Sequence, residues 1–256
     1  MNYGIQISTS GVMNAMYRQD VLSNNLANLN TTAYKPDVPE SRFRDAARDE
    51  DSLGFMPSNS MLERLGGGVT PFANRVSFAQ GALETTGNSL DLAVQNEGFF
   101  VVRGPGGEGT QLTRDGRFTM DSRGRLVTAS TGQPVLGTDN RPIDLDPGLI
   151  AQISGDGIIS QGGQQVARLN LVEPADKGQL RKAGAGMFDL DASLAQTLRP
   201  ATGSIQQGAL EMSAVNEIKA LMDIESASRA VSSNIGMITY QDRMMDMAIN
   251  RFGRIS

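Results

Sequence analysis

The sequence predicts an α+β protein, in which N- and C-terminal helices pair in a coiled-coil-like layer and a central antiparallel β-rich domain lies between them in the chain. Two observations lead to this prediction. Apolar residues recur every three or four positions near both chain ends, which is typical of amphipathic helices. Between them, short apolar or alternating runs are separated by glycine turns roughly every eight to twelve residues, which is typical of antiparallel β-structure. We expect an N-terminal helix over 1–35, an extended connector over 36–75, a β-rich domain over 76–204 and a long helix over 205–256.

The composition excludes several classes of function. The chain has 256 residues and a formal net charge of -5, from 23 Lys and Arg against 28 Asp and Glu. It has no basic run that could neutralise a phosphate backbone, so we expect no nucleic-acid partner. His and Cys are absent, which removes imidazole bases, thiolates and the usual zinc ligands. We therefore expect most hydrolytic and metal-dependent chemistry to be excluded, with no metal and no cofactor bound. We also expect no membrane span and no cleaved signal peptide.

The N-terminal helix is predicted from one apolar stripe. Six positions step by three or four residues and so share one helix face: Val12, Ala15, Gln19, Leu22, Leu26 and Leu29. Ser8 to Ser10 are candidate N-caps. Pro36 disfavours helical geometry at Lys35, so the helix should end near Asn30 to Tyr34.

Asparagines flank this stripe at Asn24, Asn25 and Asn28. One explanation is that they merely fray the helix end, because Asn is a mediocre helix former. The other is that their amides bond to neighbouring helices and fix the register, as a buried Asn does in coiled coils. The residues alone leave both explanations open.

The middle of the chain changes character twice. We interpret 37–75 as an extended connector, with one short helix over Ser60 to Leu65. From Val76 onward the pattern indicates strands, and Asp115-Gly116 is a signal for a type I′ hairpin turn.

The C-terminal segment contains the longest periodic pattern. Its main stripe consists of Leu221, Ile224, Ser228, Val231, Ile235, Ile238, Asp242, Met245, Ile249 and Phe252. A weaker stripe lies about 100° away and consists of Ala220, Ala227, Ala230, Met237, Met244 and Ala248. We expect Ser213 as N-cap and Gly253 as the residue after the helix. Gly236 should mark a bend or a close helix approach.

The two helices differ in length, and this predicts an interaction surface. A C-terminal helix of roughly 40 residues spans about 60 Å, whereas an N-terminal helix of roughly 20 residues spans about 30 Å. One alternative is that the β-domain or the connector covers the remaining apolar surface. The preferred interpretation is that helices of other subunits cover it, and that isolated chains leave these segments partly disordered. The predicted assembly interface consists of Val12, Gln19, Leu22, Asn24, Asn25, Leu26, Asn28, Leu29, Leu221, Ile224, Val231, Ile235, Ile238, Met245, Ile249 and Phe252.

A short internal repeat lies at both junctions of the predicted β-domain. The pentapeptide QGALE occurs at Gln80–Glu84 and at Gln207–Glu211. In each copy Gly supplies a turn and Leu an anchor, which gives modest support to an architecture built from repeated parts.

Two motifs could suggest chemistry and are better explained structurally. GPGGEG, at residues 104–109, matches the dinucleotide fingerprint, but a hairpin-like sequence follows it where the fingerprint needs a helix N-terminus. We predict a hairpin loop there. The acid pairs Asp144/Asp146 and Asp189/Asp191 lack the spacing of a calcium loop and are expected to be solvated.

Three regions of the chain resemble the signatures of bacterial flagellar basal-body rod and hook proteins. They are SGVMNAMYRQDVLSNNLANLNTTAYK, NSLDLAVQNEGFFVV with TRDGRFTMDSRGRLVTASTGQPVLG, and GALEMSAVNEIKALMDIESASRAV. NNLAN with the Thr32 to Lys35 tail looks like the N-terminal signature of that family. The stretch ISGDGIISQGGQQVARLNLVE is more similar to the proximal rod protein than to the distal one. At position 214 this chain has Ala, where members of that family usually have Asn.

The resemblance implies a structural subunit without an active site. Such proteins pass unfolded through the flagellar export apparatus without a cleaved signal and polymerise in the periplasm. The implied partners are copies of the chain, other rod and hook-family proteins and the export apparatus. The implied product is a hollow, torque-transmitting shaft lined by the terminal helices, with the β-domain outside. A distal rod or hook-family subunit is the alternative, and a dinucleotide-binding enzyme is a more distant one.

Overall fold

The structure is a computed structural model that describes residues 3–46, 66–107, 109–190, 195 and 197–252. In these residues two α-helices, α1 (Tyr3–Ala27) and α2 (Glu217–Phe252), flank a series of strands along the chain. The strands are β1 (Asp37–Phe43), β2 (Val69–Val76), β3 (Leu83–Thr85), β4 (Leu92–Gln95), β5 (Phe99–Arg103), β6 (Thr110–Thr113), β7 (Phe118–Met120), β8 (Leu126–Thr128), β9 (Ala151–Ile153), β10 (Ile158–Gln161), β11 (Gln164–Arg168), β12 (Leu171–Glu173), β13 (Arg181–Gly184), β14 (Met187–Asp189), β15 (Arg199–Pro200), β16 (Ser204–Gln207) and β17 (Ala209–Glu211). They divide into a helical unit, with α1, α2, β1 and β2, and a β unit, with residues 28–36 and β3 to β17. The α+β prediction is confirmed.

Helix α1 starts earlier than the apolar stripe indicated. It begins at Tyr3, so Ser8 to Ser10 lie inside the helix rather than at its cap. The Ser10 hydroxyl is used differently: it donates to the carbonyl of Ile7 at 2.7 Å and accepts from the Val69 amide at 3.2 Å. The Ser10 hydroxyl therefore makes two hydrogen bonds from inside the helix, as a donor within α1 and as an acceptor for strand β2.

Helix α2 starts at Glu217 and is capped by Asn216 rather than by Ser213. The Asn216 side-chain oxygen accepts from the Lys219 amide at 2.9 Å, which is the bond expected of an N-cap. The Ser213 hydroxyl accepts instead from the Val215 amide at 3.3 Å. Gly236 faces open space, so the expected close approach does not occur there. The expected Gly253 cap lies outside the described residues.

Two strands lie within the segment that was expected to be an extended connector. Strand β1 pairs antiparallel with β2, from Asp37 opposite Val76 to Phe43 opposite Val69. Polar side chains of α1 hold this hairpin: Asn14 bonds to Ser41 at 2.8 Å and Tyr17 to Asn74 at 3.0 Å. The short helix expected over 60–65 lies outside the described residues.

The β unit is antiparallel throughout its described pairs. Its largest sheet has the order β13-β14-β6-β5-β12-β15, and a smaller one has the order β11-β10-β9. Three further two-stranded sheets, β16-β4, β17-β3 and β7-β8, complete the unit. Their inward side chains form one apolar core, which includes Leu92, Val94, Phe100, Val102, Phe118, Leu126, Val135, Ile143 and Ile159.

Of the two turn predictions for this region, one is confirmed and one is wrong. The 104–109 loop does join a hairpin, β5 with β6, and the Gly104 amide donates to the Gly109 carbonyl at 3.1 Å. Asp115-Gly116 does not form a type I′ hairpin turn, because β6 pairs with β5 and β14 whereas β7 pairs with β8. Glycine is required at position 116 for a different reason, the close approach of the Leu92 backbone: a Cβ there would lie 1.6 Å from the Leu92 carbonyl oxygen.

The two QGALE copies meet in the structure. Strands β3 and β17, which lie in the first and second copy, pair antiparallel, with Leu210 opposite Glu84 and Glu211 opposite Leu83. The Gly81 amide of the first copy donates to the Glu211 carboxylate of the second at 2.9 Å. The repeat therefore joins the beginning and the end of the β unit.

Candidate assembly surface

Helices α1 and α2 pack against each other in antiparallel orientation. Gly4 lies against Gln241 and Gly11 against Asn234, so both helices advance by seven residues between these contacts. A seven-residue repeat is the spacing of a coiled-coil seam. Both glycines leave room for an amide side chain, since a Cβ at either position would lie within 3.1 Å of it.

Most of the predicted interface residues of α1 are buried or partly buried, whereas Asn24 is exposed. Leu22 is buried together with Ala15, while Val12, Gln19 and Leu26 are partly buried. Leu29 and Asn28 belong to the β unit and are partly buried there.

The predicted interface residues of α2 separate into two sets. One set is partly buried and consists of Ile224, Val231, Ile238 and Met245, each seven residues from the next. The other set consists of Leu221, Ile235 and Ile249, which stay 49%, 49% and 71% exposed. The side chain of Phe252 lies outside the described part. Ala220, Ala227, Asn234 and Gln241 contribute the remaining buried or partly buried positions of the α1-facing side.

Exposed apolar side chains flank the α1-facing side of α2 on both sides. Leu221 and Ile235 each follow an α1-facing heptad position by one residue, Ile249 continues this spacing beyond the end of α1, and Met237 and Met244 each precede a partly buried heptad position. We call these sets the isoleucine flank and the methionine flank. Flanking heptad positions are polar in most two-stranded coiled coils. Apolar residues lie on both flanks, and Met237 and Met244 are more than half exposed; exposed apolar patches of this kind are typical of interaction surfaces.

Helix α2 also extends beyond its partner. With Gly4 against Gln241, the described part of α1 ends opposite about residue 242. Residues 243–252 of α2 continue for about 15 Å past that point. This segment carries both Met244 and Ile249, so the two flanks continue along it.

Asn25 fixes α1 to the start of β1. Its amide nitrogen donates to the Asp37 carbonyl at 2.7 Å, and its amide oxygen accepts from the Asp37 amide at 2.9 Å. The buried Asn25 therefore satisfies both backbone groups of one residue. For Asn25 the sequence left two explanations open; the structure places this residue inside α1, where its amide is bonded to the start of β1 rather than fraying the helix end. Asn28 accepts from the Thr31 hydroxyl at 3.1 Å in the turn after α1.

The β unit contains a buried charged cluster that sequence reasoning missed. Lys35 donates to Glu211 at 2.6 Å, and Arg114 donates to the other oxygen of that carboxylate at 3.2 Å. All three side chains are at most 3% exposed. Lys35 also donates to the Ala79 carbonyl at 2.8 Å, and Arg114 to the Asn96 carbonyl at 2.7 Å. We call these three residues the Glu211 cluster.

Burial has the largest effect on the pKa of Lys35. Loss of water lowers the pKa of Lys35, and repulsion from Arg114 lowers it further, while Glu211 raises it. The net pKa is below that of a free lysine. Glu211 is the carboxylate that both buried cations contact, while Glu97 adds a weaker attraction to Lys35. The arrangement therefore depends strongly on Glu211.

No group of three or more His, Cys, Asp or Glu in the described residues could hold a metal ion. Among the helices described, none has the length and apolar character needed to cross a membrane.

Comparisons with known proteins connect the N-terminal part and the middle of the chain to flagellar rod and hook proteins. Residues 5–35 match the family model described as "Flagella basal body rod protein", and residues 93–161 match "Flagellar hook protein FlgE/F/G D1 domain". The chain is 33% identical over 258 aligned positions to flagellar basal-body rod protein FlgF of Caulobacter vibrioides, covering 100% of both chains. It is 32% identical to FlgF of Rhizobium meliloti, covering 99% of both. It is 30% identical to FlgG of Buchnera aphidicola, covering 93% of this chain and 95% of that one.

Proposed function

We propose that this chain, which belongs to the flagellar basal-body rod protein family and is a structural subunit of the rod, polymerises through α1 and α2 into a hollow, torque-transmitting shaft. The observation that supports this assembly mode is the pair of apolar flanks on α2. They are exposed although α1 already covers the side of the helix between them.

The two flanks have different chemistry, and this indicates how neighbours would contact. A self-complementary contact uses the same patch on both partners, whereas a head-to-tail contact uses two different patches and repeats to form rings or helical filaments. Branched side chains at Ile235 and Ile249 oppose flexible ones at Met237 and Met244 on the other side. We propose that the isoleucine flank of one subunit packs against the methionine flank of the next.

Cysteine cross-linking tests this contact, because the natural chain has no Cys. A chain carrying Ile235→Cys and Met244→Cys is assembled into rods and treated with a short thiol reagent. The two sites are nine residues apart, about 13 Å along one helix, so a short reagent joins them only between chains. A ladder of dimers, trimers and larger species is expected.

Ser232→Cys with Met244→Cys is the matched control, because exposed Ser232 lies on neither flank. The single variants should yield dimers at most. If the flank pair gives no more cross-linked product than the control, the flank-to-flank contact is wrong.

We propose that the helices reach full order only on assembly. The support is that much of the apolar surface of α2 is exposed in one chain. Hydrogen exchange should show stronger protection of 12–30 and 215–252 in isolated basal bodies than in dilute monomer. Equal protection in both would contradict this proposal.

Membership in a basal-body rod family locates the chain in the flagellar basal body and makes other axial flagellar proteins its partners. We propose in addition a periplasmic position, contacts with copies of itself, and export without a cleaved signal through the export apparatus. A fusion of residues 1–35 to a reporter, assayed for flagellum-dependent secretion, tests the export proposal. Retention of the reporter in cells with active export would contradict it.

We also propose that the chain has no catalytic activity and is of the FlgF type, which we take to be the proximal rod subunit. The family is structural, and the FlgF relatives cover at least 99% of both chains. Complementation of strains lacking either rod protein separates proximal from distal subtypes. Stabilisation by a dinucleotide in a thermal-shift screen would revive the enzyme alternative.

A further inference from the structure

The Glu211 cluster joins residues that lie far apart in the chain. Lys35 precedes the β strands of its unit, Arg114 follows β6, and Glu211 ends β17. Each of them is almost fully buried. Buried charges of this kind are tolerated only when each has a partner.

The chain order places both cations before their common anion. Until Glu211 is in place, Lys35 and Arg114 have only carbonyl oxygens as described acceptors, such as those of Ala79 and Asn96. Lys35 and Arg114 contact the two oxygens of the same carboxylate, so their positive charges repel each other across the cluster. Bringing them together without the carboxylate is therefore unfavourable.

Glu211 also closes the backbone around the cluster. Its carboxylate accepts from the Gly81 amide at 2.9 Å, and its carbonyl accepts from the Ala33 amide at 2.7 Å. Ala33 has a φ of 55°, a left-handed conformation that alanine adopts only when its surroundings impose it. One residue thus joins the first segment of the β unit, the first QGALE copy and the last strand.

We propose that Glu211 is a closing residue: the β unit cannot complete its fold until this carboxylate arrives between Lys35 and Arg114. If the chain emerges with its N-terminus first, residue 211 of 256 must have emerged before the β unit can close. Late folding of the β unit would suit a chain that is exported unfolded, and this part of the inference rests on the proposed function. The closing role of Glu211 does not depend on that function.

Full-length variants test the proposal. Glu211→Gln keeps the shape but removes the charge, so two cations remain without an anion. We expect the unfolding equilibrium of the β unit to shift towards the unfolded state by roughly 100-fold or more. Lys35→Met should have a smaller effect, because Arg114 and Glu211 still form a pair. The readout is urea unfolding, with hydrogen exchange of peptides covering 77–85 and 204–215.

The sharpest comparison is the double variant Lys35→Met/Glu211→Gln. If charge closes the unit, removing one cation should restore part of the protection lost in Glu211→Gln. Glu84→Gln is the matched control, since Glu84 is the exposed equivalent of Glu211 in the first repeat; it should behave as wild type.

Two results would overturn the proposal. One is a Glu211→Gln loss no larger than that of Glu84→Gln. The other is a double variant that is less stable than Glu211→Gln, as expected if the three residues contribute only independent packing. If Glu211→Gln fails to fold, recovery of folding in the double variant still decides between the two explanations. None of these measurements depends on assembly into rods.

Discussion

Replacing Ile249 by Ser should weaken assembly without weakening the isolated chain. Ile249 is 71% exposed in one subunit, and full burial of an isoleucine side chain stabilises by about 1.5–3 kcal/mol. Covering the exposed part in a neighbour's contact therefore contributes about 1–2 kcal/mol per subunit. Serine cannot supply this, so the concentration needed for assembly should rise roughly 5- to 30-fold.

A competition assay measures this effect directly. Tagged Ile249→Ser protein is co-expressed with wild type, and the ratio of the two chains in purified basal bodies is compared with their ratio in the cell. Asn250→Ser is the control, because the neighbouring side chain is exposed and polar. Urea unfolding of the isolated chains measures the stability of the single subunit.

Ile249→Ser protein incorporating as well as Asn250→Ser protein would refute the reasoning. The same conclusion would follow if the variant lost as much stability in the isolated chain as in assembly, since Ile249 would then be packed within its own subunit.

Three further predictions concern single sites. Asn25→Ala should lower the free energy of unfolding of the helical unit by about 1–2 kcal/mol in urea, because Asp37 loses two hydrogen bonds; unchanged unfolding would show that water replaces them. Gly236→Ala should stabilise α2 by about 1 kcal/mol, visible as higher helicity by circular dichroism, because a Cβ there meets nothing; lower helicity would reveal an unrecognised contact. The pKa of Lys35 is lowered in the fold, mainly by burial and against the pull of Glu211. At pH values between the lowered pKa of the folded state and the ordinary lysine pKa of about 10.5, Lys35 binds a proton more strongly in the unfolded chain than in the folded one. The free energy of unfolding of the wild type, relative to that of Lys35→Met, should therefore rise with pH across this window and level off above about 10.5. A relative stability that falls over that window would contradict the lowered pKa.

Periodicity predicted the helices well because it depends on burial along one element. Ala15 and Leu22 are buried, as their spacing indicated. The same method placed Ile235 and Ile238 in one stripe, although the structure leaves Ile235 half exposed and Ile238 partly buried. A stripe of apolar residues cannot show which part the same chain covers and which part remains for other chains. That division depends on the pairing register.

The charged cluster was harder to predict because its members meet only in three dimensions. Nothing near Lys35 or Arg114 in the sequence indicates burial. A signal did exist in the QGALE repeat, where identical glutamates could be compared. Their different surroundings, exposed for Glu84 and buried for Glu211, follow from strand pairing and from the segment around Ala33. The sequence next to either glutamate reveals neither the strand pairing nor the contact with the segment around Ala33.

The pairing of the two QGALE copies has a consequence for how this kind of chain can diversify. After its first segment at 28–36, the polypeptide enters and leaves the β unit beside the same two short strands, so residues 77–215 resemble a cassette inserted at one point of the chain. Loops elsewhere in the cassette can lengthen, shorten or be exchanged without moving its points of attachment. Evolution, or an engineer, could therefore give such a subunit a new outer surface while leaving the ends of its insertion in place.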